Sequence, residues 1–360
     1  MNVGLVRLAN QHISRPAFRD PADVVRWLGA VQAQDYVGGL WAIGLRTKGA
    51  TEAKVEDAVA RRTIVRTWPM RGTLHFVAAD DVRWILPILT PRVIAGAQGR
   101  FRQLGLDAAT FTKSARVAEK ALVGGNVVRR DKLYEIWNAA GIATHESRGL
   151  HLLGVLSQQG VLCFGPRDGK QQTFTLLEEW IPAFRTVERD AALGELARRY
   201  FTSHGPATVQ DFSWWAGLTI TDARSGLEST RSALESTEVR GRTFWFAEAT
   251  STRAGSGAAY LLPPWDELTV AYRDRSDVLD PKYATRVNAG GGLLSPVIVV
   301  RGSVIGTWKR TIRKDTVTVQ PAFFKVPNAA DRALVAAAVE RYARFLGLAR
   351  GVLLRKGSES

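Results

Sequence analysis

The chain has 360 residues, of which 46% are hydrophobic and 23% charged, so it is globular and too long for one ordinary core. Two to four modules are therefore expected. Lys and Arg number 49 against 34 Asp and Glu, a formal net charge of +15, which favours a polyanionic partner, and nucleic acid before membrane. Codon bias in a GC-rich genome is the competing explanation for a chain so rich in Arg, Ala and Gly.

Cysteine and histidine usage excludes several kinds of site. The single cysteine, Cys163, cannot form an internal disulfide or a cysteine-based zinc site, and the five histidines have no paired metal-ligand spacing. We therefore expect no metal and no cofactor. The N-terminal stretch lacks the apolar core of a signal peptide, and no apolar run is long enough to cross a membrane. These features predict a cytoplasmic protein with no membrane partner.

The first third of the chain predicts helices followed by a basic-tipped hairpin. Residues 3–13 predict a short helix, and a second helix is expected to start at Pro21 and run to about Val31. Residues 64–77 suit two strands joined by a turn that contains Pro and Gly. A further helix follows, and residues 96–107 predict an irregular connector.

The rest of the chain predicts two more units of this kind and a β module. Helices that end at glycine precede a hairpin in both following units, and the last stretch alternates apolar and polar residues between Gly-rich breaks. The predicted fold class is α+β. It comprises three tandem winged-helix units over residues 1–108, 109–187 and 188–250, then a small antiparallel β-barrel with a C-terminal helix over residues 251–360.

One stretch offers chemistry without a metal or a strong nucleophile, namely Gln32-Ala33-Gln34. Each amide has a carbonyl acceptor and an NH2 donor that can hold a water in a fixed place, although a polar helix end is the simpler explanation. On a helix the two glutamines would point about 200° apart, whereas on extended backbone they share a face. A joint role therefore predicts that the chain straightens at Gln32, with both carbonyls facing one basic cleft and Ala33 pointing inward. Gly38-Gly39 predicts that the helix starting at Pro21 cannot run far beyond this stretch.

Four motifs resemble the AlkZ/YcaQ-type winged-helix DNA glycosylases. They are VQAQDY followed by GLWAIGLR, the segment RTWPMRGTLHFV, the segment LLPPWDELTVAYRDRSDVL, and VIGTWKR near the end. The resemblance covers nearly the whole chain and implies three tandem winged helices around a C-terminal β-barrel. Gln-apolar-Gln is the signature of the family's crosslink branch and Gln-x-Asp that of the other branch. Gln32, Ala33 and Gln34 match the first signature.

The resemblance implies a monofunctional DNA glycosylase with Gln32 and Gln34 as its catalytic pair. Family members excise cationic alkylated purines, and some unhook interstrand crosslinks. Alkylation at N7 of guanine makes the base a good leaving group, so the reaction needs an aimed water and stabilisation of a cationic sugar, and no general acid. The implied partner is double-stranded DNA carrying alkylated purines, bound by a monomer without a cofactor. A direct catalytic role for Asp35 is a less favoured alternative.

Basic and aromatic side chains near these motifs are candidate DNA contacts. Arg71 and His75 on the first hairpin are expected at a phosphate or the lesion; the alternatives are a solvated turn for Arg71 and a half-buried strand position for His75. Tyr36 is a candidate for base stacking, whereas core packing is favoured for Trp41 and Trp68. The predicted DNA contacts are Tyr36, Arg46, Arg66, Arg71, His75, Arg167, Lys170, Arg275, Trp308, Lys309 and Arg310.

The competing hypothesis is a non-enzymatic winged-helix DNA-binding protein such as a transcriptional regulator. A regulator usually dimerises and reads a two-fold site through one exposed recognition helix. This chain has no obvious dimer element, and the helix expected in residues 219–231 has few side chains suited to reading bases. The two glutamines have no role in a regulator. Burial of both, or their divergence on a helix, would favour that hypothesis.

Overall fold

The computed structural model describes residues 1–183, 185–247 and 257–354. Over these ranges the chain mixes helices and strands, with a six-stranded sheet, a five-stranded sheet and two separate two-stranded hairpins. None of the helices in these ranges is long and apolar enough to cross a membrane. The same residues contain no cluster of His, Cys, Asp and Glu that could hold a metal ion. The predicted boundary between residues 250 and 251 lies outside the described residues.

The first module brings the Gln-Ala-Gln stretch from a helix onto a strand. The helix that starts at Pro21 ends at Leu28 rather than near Val31, because Gly29 takes a left-handed φ of 80° and releases the chain. The elements of this module are α1 (Val3–Asn10), α2 (Pro21–Leu28), β1 (Val31–Gln32), α3 (Tyr36–Arg46), α4 (Glu52–Ala60), β2 (Ile64–Met70) and β3 (Thr73–Ala78).

The helix that starts at Pro21 ends well before Gly38-Gly39, and a separate helix, α3, begins directly after the motif and passes through these two glycines. A Cβ built on Gly39 would lie 3.0 Å from the ring of Phe76 and 3.2 Å from the Cβ of Ala33. The absent side chain therefore lets α3 pack closely against β1 and β3. Close packing, and not helix termination, explains the glycine.

A long helical segment leads from the first module to the second. Helix α5 (Ala79–Gly96) continues through two prolines, and α6 (Gln98–Gln103) follows at once. The expected irregular connector over residues 96–107 is therefore largely helical. Burial of Phe101 against Phe111 and His151 holds this glycine-containing segment in place, which shows tertiary packing overriding weak local propensity.

The second and third modules each run from helices into a two-stranded hairpin within the described residues. The second consists of α7 (Ala108–Leu122), β4 (Val128–Arg129), α8 (Arg130–Ala139), α9 (Arg148–Gln158), β5 (Leu162–Phe164) and β6 (Thr173–Leu176), followed by α10 (Leu177–Trp180). The third consists of α11 (Arg189–His204), α12 (Val209–Ala216), α13 (Ile220–Thr230), a 3₁₀ turn (Arg231–Ala233), β7 (Glu235–Val239) and β8 (Arg242–Phe246).

The last module is a sheet covered by the C-terminal helix. Its elements are β9 (Ala259–Leu262), α14 (Glu267–Val270), a 3₁₀ turn (Pro281–Tyr283), α15 (Ala284–Val287), β10 (Asn288–Gly290), β11 (Leu293–Leu294), β12 (Val297–Val300), β13 (Ser303–Arg313), β14 (Thr316–Phe323), α16 (Ala329–Phe345) and β15 (Arg350–Leu353). The strand order is β15-β14-β13-β12-β9. The expectation of a purely antiparallel module is wrong at one edge, since α16 returns the chain so that β15 runs parallel to β14.

Two contacts between modules position the motif strand. Strands of the first and second modules form one sheet in the order β1-β3-β2-β5-β6-β4, joined where Arg66 lies opposite Phe164. The first and last modules share one apolar core, in which the ring of Trp41 lies 4.8 Å from that of Phe345. Strand β1 is thus an edge strand held between the first module and the last.

Candidate active site

The Gln-Ala-Gln stretch has the extended backbone that a shared role requires. Gln32 on β1 is paired with His75 on β3, and the next backbone N–H, that of Ala33, donates to the carbonyl oxygen of Leu74 at 2.8 Å. The chain straightens one residue earlier than predicted, at Val31. Ala33 is fully buried, which confirms that it points into the protein.

Two buried charged side chains fix the backbone of this stretch from behind. The carboxylate of Glu267 accepts the backbone N–H of Gln32 at 3.0 Å. The guanidinium of Arg66 donates to the carbonyl oxygen of Ala33 through Nη2 at 2.8 Å and through Nε at 3.2 Å. Both side chains are almost completely shielded from solvent. The motif is therefore held rigidly by charge-assisted hydrogen bonds rather than lying on a loose loop.

The two amide side chains lie in different surroundings. Gln34 is exposed, and its Oε1 accepts the backbone N–H of Leu74 at 3.2 Å. Gln32 is only 5% exposed, and its Oε1 accepts from Nη2 of Arg71 at 3.2 Å. Both side-chain carbonyls were expected to open onto a cleft. Only that of Gln34 belongs to an exposed side chain. A carbonyl oxygen has two lone pairs, so each retains the capacity for one further hydrogen bond.

Glu267 is the centre of a buried polar cluster. Besides holding Gln32, it accepts the indole N–H of Trp215 at 2.9 Å and lies 3.3 Å from Nε2 of His204. Burial by itself would raise the pKa of this carboxyl, but hydrogen bonding to His204 and to the backbone N–H of Gln32 outweighs burial, and the net pKa is lowered. A fixed negative charge therefore lies directly behind the motif.

Arg71 and His75 approach Gln32 from the hairpin. Arg71 is partly exposed and occupies the β2–β3 turn with a left-handed φ of 53°. His75 is fully buried, with Nδ1 3.0 Å from the carbonyl oxygen of Thr73 and no hydrogen-bond partner for Nε2 among the described residues. Burial, reinforced by the charge of Arg71, lowers the pKa of His75 to about 3. His75 is thus a neutral imidazole inside the protein, and the prediction that it contacts DNA is wrong.

Arg46 also belongs to the interior and not to a DNA-binding surface. Its guanidinium forms a bidentate pair with Asp266, both distances being 2.9 Å, and donates through Nε to the backbone of Gln11 at 3.0 Å. Both charged side chains are fully buried. Asp266 thus pairs with Arg46 across the interface between the first and last modules.

Arg66 and Trp308 are two further predicted DNA contacts that the structure buries. Arg66 is 4% exposed, donates to Gln172 at 2.7 Å, and burial lowers its pKa to about 10. The indole N–H of Trp308 donates to the carbonyl oxygen of Leu262 at 3.0 Å inside the shared core. Arg66 therefore supports the motif, and Trp308 packs the last module.

Tyr36 and Arg167 form an accessible group beside the motif. The guanidinium carbon of Arg167 lies 4.7 Å from the ring centre of Tyr36, and Nη1 lies 3.8 Å from the carboxylate of Glu56. Both side chains are half-buried, and burial raises the pKa of Tyr36 to about 12. Their roles as DNA contacts stay predictions.

The remaining predicted DNA contacts are at least partly exposed. Lys170 and Lys309 are exposed, whereas Arg275 and Arg310 are half-buried. Arg275 donates to the carbonyl oxygen of Thr269 at 2.6 Å, and the guanidinium carbon of Arg310 lies 5.5 Å from the ring centre of Tyr342. All four side chains are more exposed to solvent than that of Arg46, which is fully buried.

Trp214 lies next to the site and is absent from the predicted DNA contacts. Trp214 is 46% exposed, whereas its neighbour Trp215 is fully buried. Neighbouring residues on a helix point about 100° apart, so in a Trp-Trp pair one ring leaves the core when the other enters it. The Trp-Trp pair in the sequence could therefore have indicated an exposed ring. Trp41 and Trp68, the tryptophans weighed as stacking residues, are buried, as their core alternative predicted.

The chain is strongly basic and mixes helices with strands. Near the motif it presents partly exposed arginines and an exposed tryptophan, and this combination is typical of nucleic-acid-binding proteins. A family model described as "DNA glycosylase AlkZ-like" matches residues 25–345. The chain therefore belongs to the AlkZ-like DNA glycosylase family.

Two relatives cover the chain almost completely. An "Interstrand DNA cross-link repair glycosylase" of Streptomyces sahachiroi is 26% identical over 373 aligned positions, which span 96% of this chain and 95% of that protein. The solved structure of the "Streptomyces sahachiroi DNA glycosylase AlkZ" superposes with a TM-score of 0.82 at 24% identity and covers 98% of both chains. The second similarity concerns the fold alone.

Proposed function

We propose that this protein is a monofunctional DNA glycosylase that hydrolyses the N-glycosidic bond of N7-alkylguanine, including adducts that are part of interstrand crosslinks. The observation that carries the proposal is the extended Gln-Ala-Gln segment, whose backbone is fixed by Glu267 and Arg66 while Gln34 stays exposed. A preorganised polar group is what an activated substrate requires. The name of the Streptomyces relative supports the extension to crosslinks.

Gln34 is the residue that we assign to the attacking water. Its carbonyl oxygen is oriented by the backbone N–H of Leu74, and its second lone pair is available to accept a proton of water in a hydrogen bond. A water held in this way is aimed at C1′ without being deprotonated beforehand. Such positioning suffices when the leaving group is already cationic.

Gln32 is assigned to the developing positive charge on the sugar. In the free protein its carbonyl oxygen accepts from Arg71, which is partly exposed. A DNA phosphate is a stronger partner for a guanidinium than a neutral amide, so DNA would draw Arg71 away and free the Gln32 carbonyl. The buried negative charge of Glu267 behind Gln32 favours a cationic transition state.

The site is poorly suited to normal bases, and this supports selectivity. Removal of an uncharged purine needs a general acid near neutral pH. His75, the imidazole paired with Gln32 on the neighbouring strand, has a pKa lowered to about 3 and cannot carry the proton. An alkylated, cationic base needs no such proton. Because His75 cannot act as a general acid, the proposed enzyme releases bases that leave without being protonated.

The proposed domain organisation is three winged-helix modules over residues 1–108, 109–187 and 188–250, with the β module after them. The succession of helices and hairpins in each module supports this assignment. Partly exposed Arg71, Arg167 and Arg275, together with exposed Lys170, would contact the phosphates of double-stranded DNA. The protein would act as a monomer without a cofactor.

Base release tests this proposal directly. The protein is incubated with duplex DNA that carries one N7-methylguanine, and in a second experiment with a crosslink formed by a bis-alkylating agent. Release of methylguanine and abasic-site formation are expected from the first duplex, and strand separation after denaturation from the second. Binding to both duplexes with no release from either would overturn the assignment and leave a DNA-binding regulator.

Gln34→Ala is expected to lower the single-turnover rate of base release on the order of 100-fold, the effect typical of losing one positioned polar group. Affinity for undamaged DNA should stay within about threefold, because Gln34 makes no ionic contact. Gln98→Ala, which alters an exposed glutamine on α6, is the matched control and should change neither quantity. Loss of affinity in Gln34→Ala would mean that the residue serves binding or folding rather than catalysis.

A further inference from the structure

Trp214 is the exposed tryptophan of the described chain. It lies in the last turn of α12, and 46% of its surface is accessible. Other tryptophans direct their indole N–H to a fixed acceptor, as Trp41 does to Leu261 and Trp265 does to Gly292. Within the described residues, the ring of Trp214 has no ring–ring contact and its N–H no hydrogen bond. A large flat ring left in water at a rigid helix end is available to a ligand.

The position of Trp214 is tied to the motif by two routes. The guanidinium of Arg71 is hydrogen-bonded to Oε1 of Gln32 at 3.2 Å and lies 3.5 Å from the carbonyl oxygen of Trp214. One planar guanidinium thus spans both acceptors, which puts them less than about 10 Å apart. In addition, Trp215 donates to Glu267, which in turn holds the backbone of Gln32. The exposed ring therefore stands at a fixed place relative to the amide pair.

The surroundings of Trp214 favour a polyanion that carries planar groups. Arg92 is exposed and its Nη1 is 3.4 Å from the carbonyl oxygen of Gly217, at the turn that follows α12. Arg71 lies against the same turn, where a Cβ on Gly217 would be 3.4 Å from its Cγ. The nearest acid on α13, Asp222, is paired with Arg189 at 2.6 Å. An exposed ring between arginines suits a nucleobase and its flanking phosphates.

We propose that the indole face of Trp214 stacks on a nucleobase of the bound DNA within a few nucleotides of the lesion. The proposal rests on the proposed function only in placing the lesion at Gln32. Consecutive bases of one strand are about 3.4 Å apart along the helix axis, so the distance from the motif to α12 covers only a few base steps. The third module thereby contributes a binding subsite for a planar base, in addition to its support of Glu267.

The experiment compares Trp214→Ala and Trp214→Phe with the wild-type protein on duplexes with and without one N7-methylguanine. Base stacking on an aromatic ring predicts that affinity falls on the order of 10-fold in Trp214→Ala and is largely kept in Trp214→Phe. The slope of log affinity against log salt should not change, because no phosphate contact is lost. Val326→Ala, at an 89% exposed apolar position of the last module, is the control and should bind like wild type.

Tryptophan fluorescence provides a readout that does not depend on catalysis. DNA should quench part of the emission of the wild-type protein, and this component should be missing in Trp214→Phe. Quenching with no base release would uphold stacking while the proposed reaction fails. Normal base release with unchanged affinity and quenching in both variants would overturn stacking while the reaction stands.

Discussion

Protonation of His75 should destabilise the protein by an amount that follows from its burial. The imidazole is fully buried opposite Gln32, and its pKa is lowered from 6.5 to about 3 by burial and then by the charge of Arg71. The unfolded chain therefore binds one more proton than the folded chain between these two pH values. The free energy of unfolding must fall as pH is lowered through this range, and the stabilisation is complete only above the unfolded pKa.

The size of the effect can be worked out from these two pKa values. At about 1.4 kcal/mol per tenfold change in proton binding, His75 accounts for a loss of about 2 kcal/mol between pH 7.5 and pH 5, and about 4 kcal/mol by pH 3. The loss at pH 5 is measurable by urea unfolding, and the carboxylates contribute little above that pH. His204, whose pKa is also lowered by burial, adds to the slope in the same direction.

The assay compares urea unfolding of wild type and His75→Asn at several pH values from 7.5 to 5. The variant retains a side-chain N–H donor, and it should lose less free energy of unfolding than wild type over this range by about 2 kcal/mol. Its stability at pH 7.5 can differ for other reasons and is not the test. Equal pH dependence in the two proteins would refute the claim that His75 is held neutral beside the motif.

Two further changes test the packing around the motif. Asp266→Asn leaves the buried Arg46 without its counter-ion and should cost about 3–5 kcal/mol in urea unfolding, whereas Asp57→Asn, in an exposed pair, should cost less than about 1 kcal/mol; similar costs would contradict the buried-pair assignment. Gly39→Ala places a methyl group 3.0 Å from Phe76 and should cost about 1–3 kcal/mol and slow base release. An unchanged or more stable variant would mean that α3 can shift away from the sheet.

The sequence was most informative where a local signal and the tertiary structure agree. Helix starts such as Pro21 behind Asp20, and the extended backbone around Gln32, follow from residue chemistry and from the requirement that both amides serve one purpose. Helix ends were less accurate. The left-handed Gly29 stops α2 three residues before the predicted end, because apolar residues continue on both sides of this glycine and conceal the stop.

Gly39 and Arg46 owe their structural roles to partners that local spacing does not show. Gly39 leaves room for Phe76 and Ala33, and Arg46 neutralises the buried carboxylate of Asp266, 220 residues away. In both cases the cause is a distant partner, and local spacing cannot report it. A single sequence therefore distinguishes poorly between an arginine that meets DNA and one that neutralises a buried acid.

The hydrogen bond from the backbone of Gln32 to Glu267 joins residues 235 positions apart. The ribosome produces the amide pair early and its supporting carboxylate only when about three quarters of the chain exist. Because long-range contacts form late, a nascent or truncated chain has the glutamines without the group that fixes their geometry. The competent arrangement of the motif is thus a property of the completed chain, and it cannot be isolated with the first module.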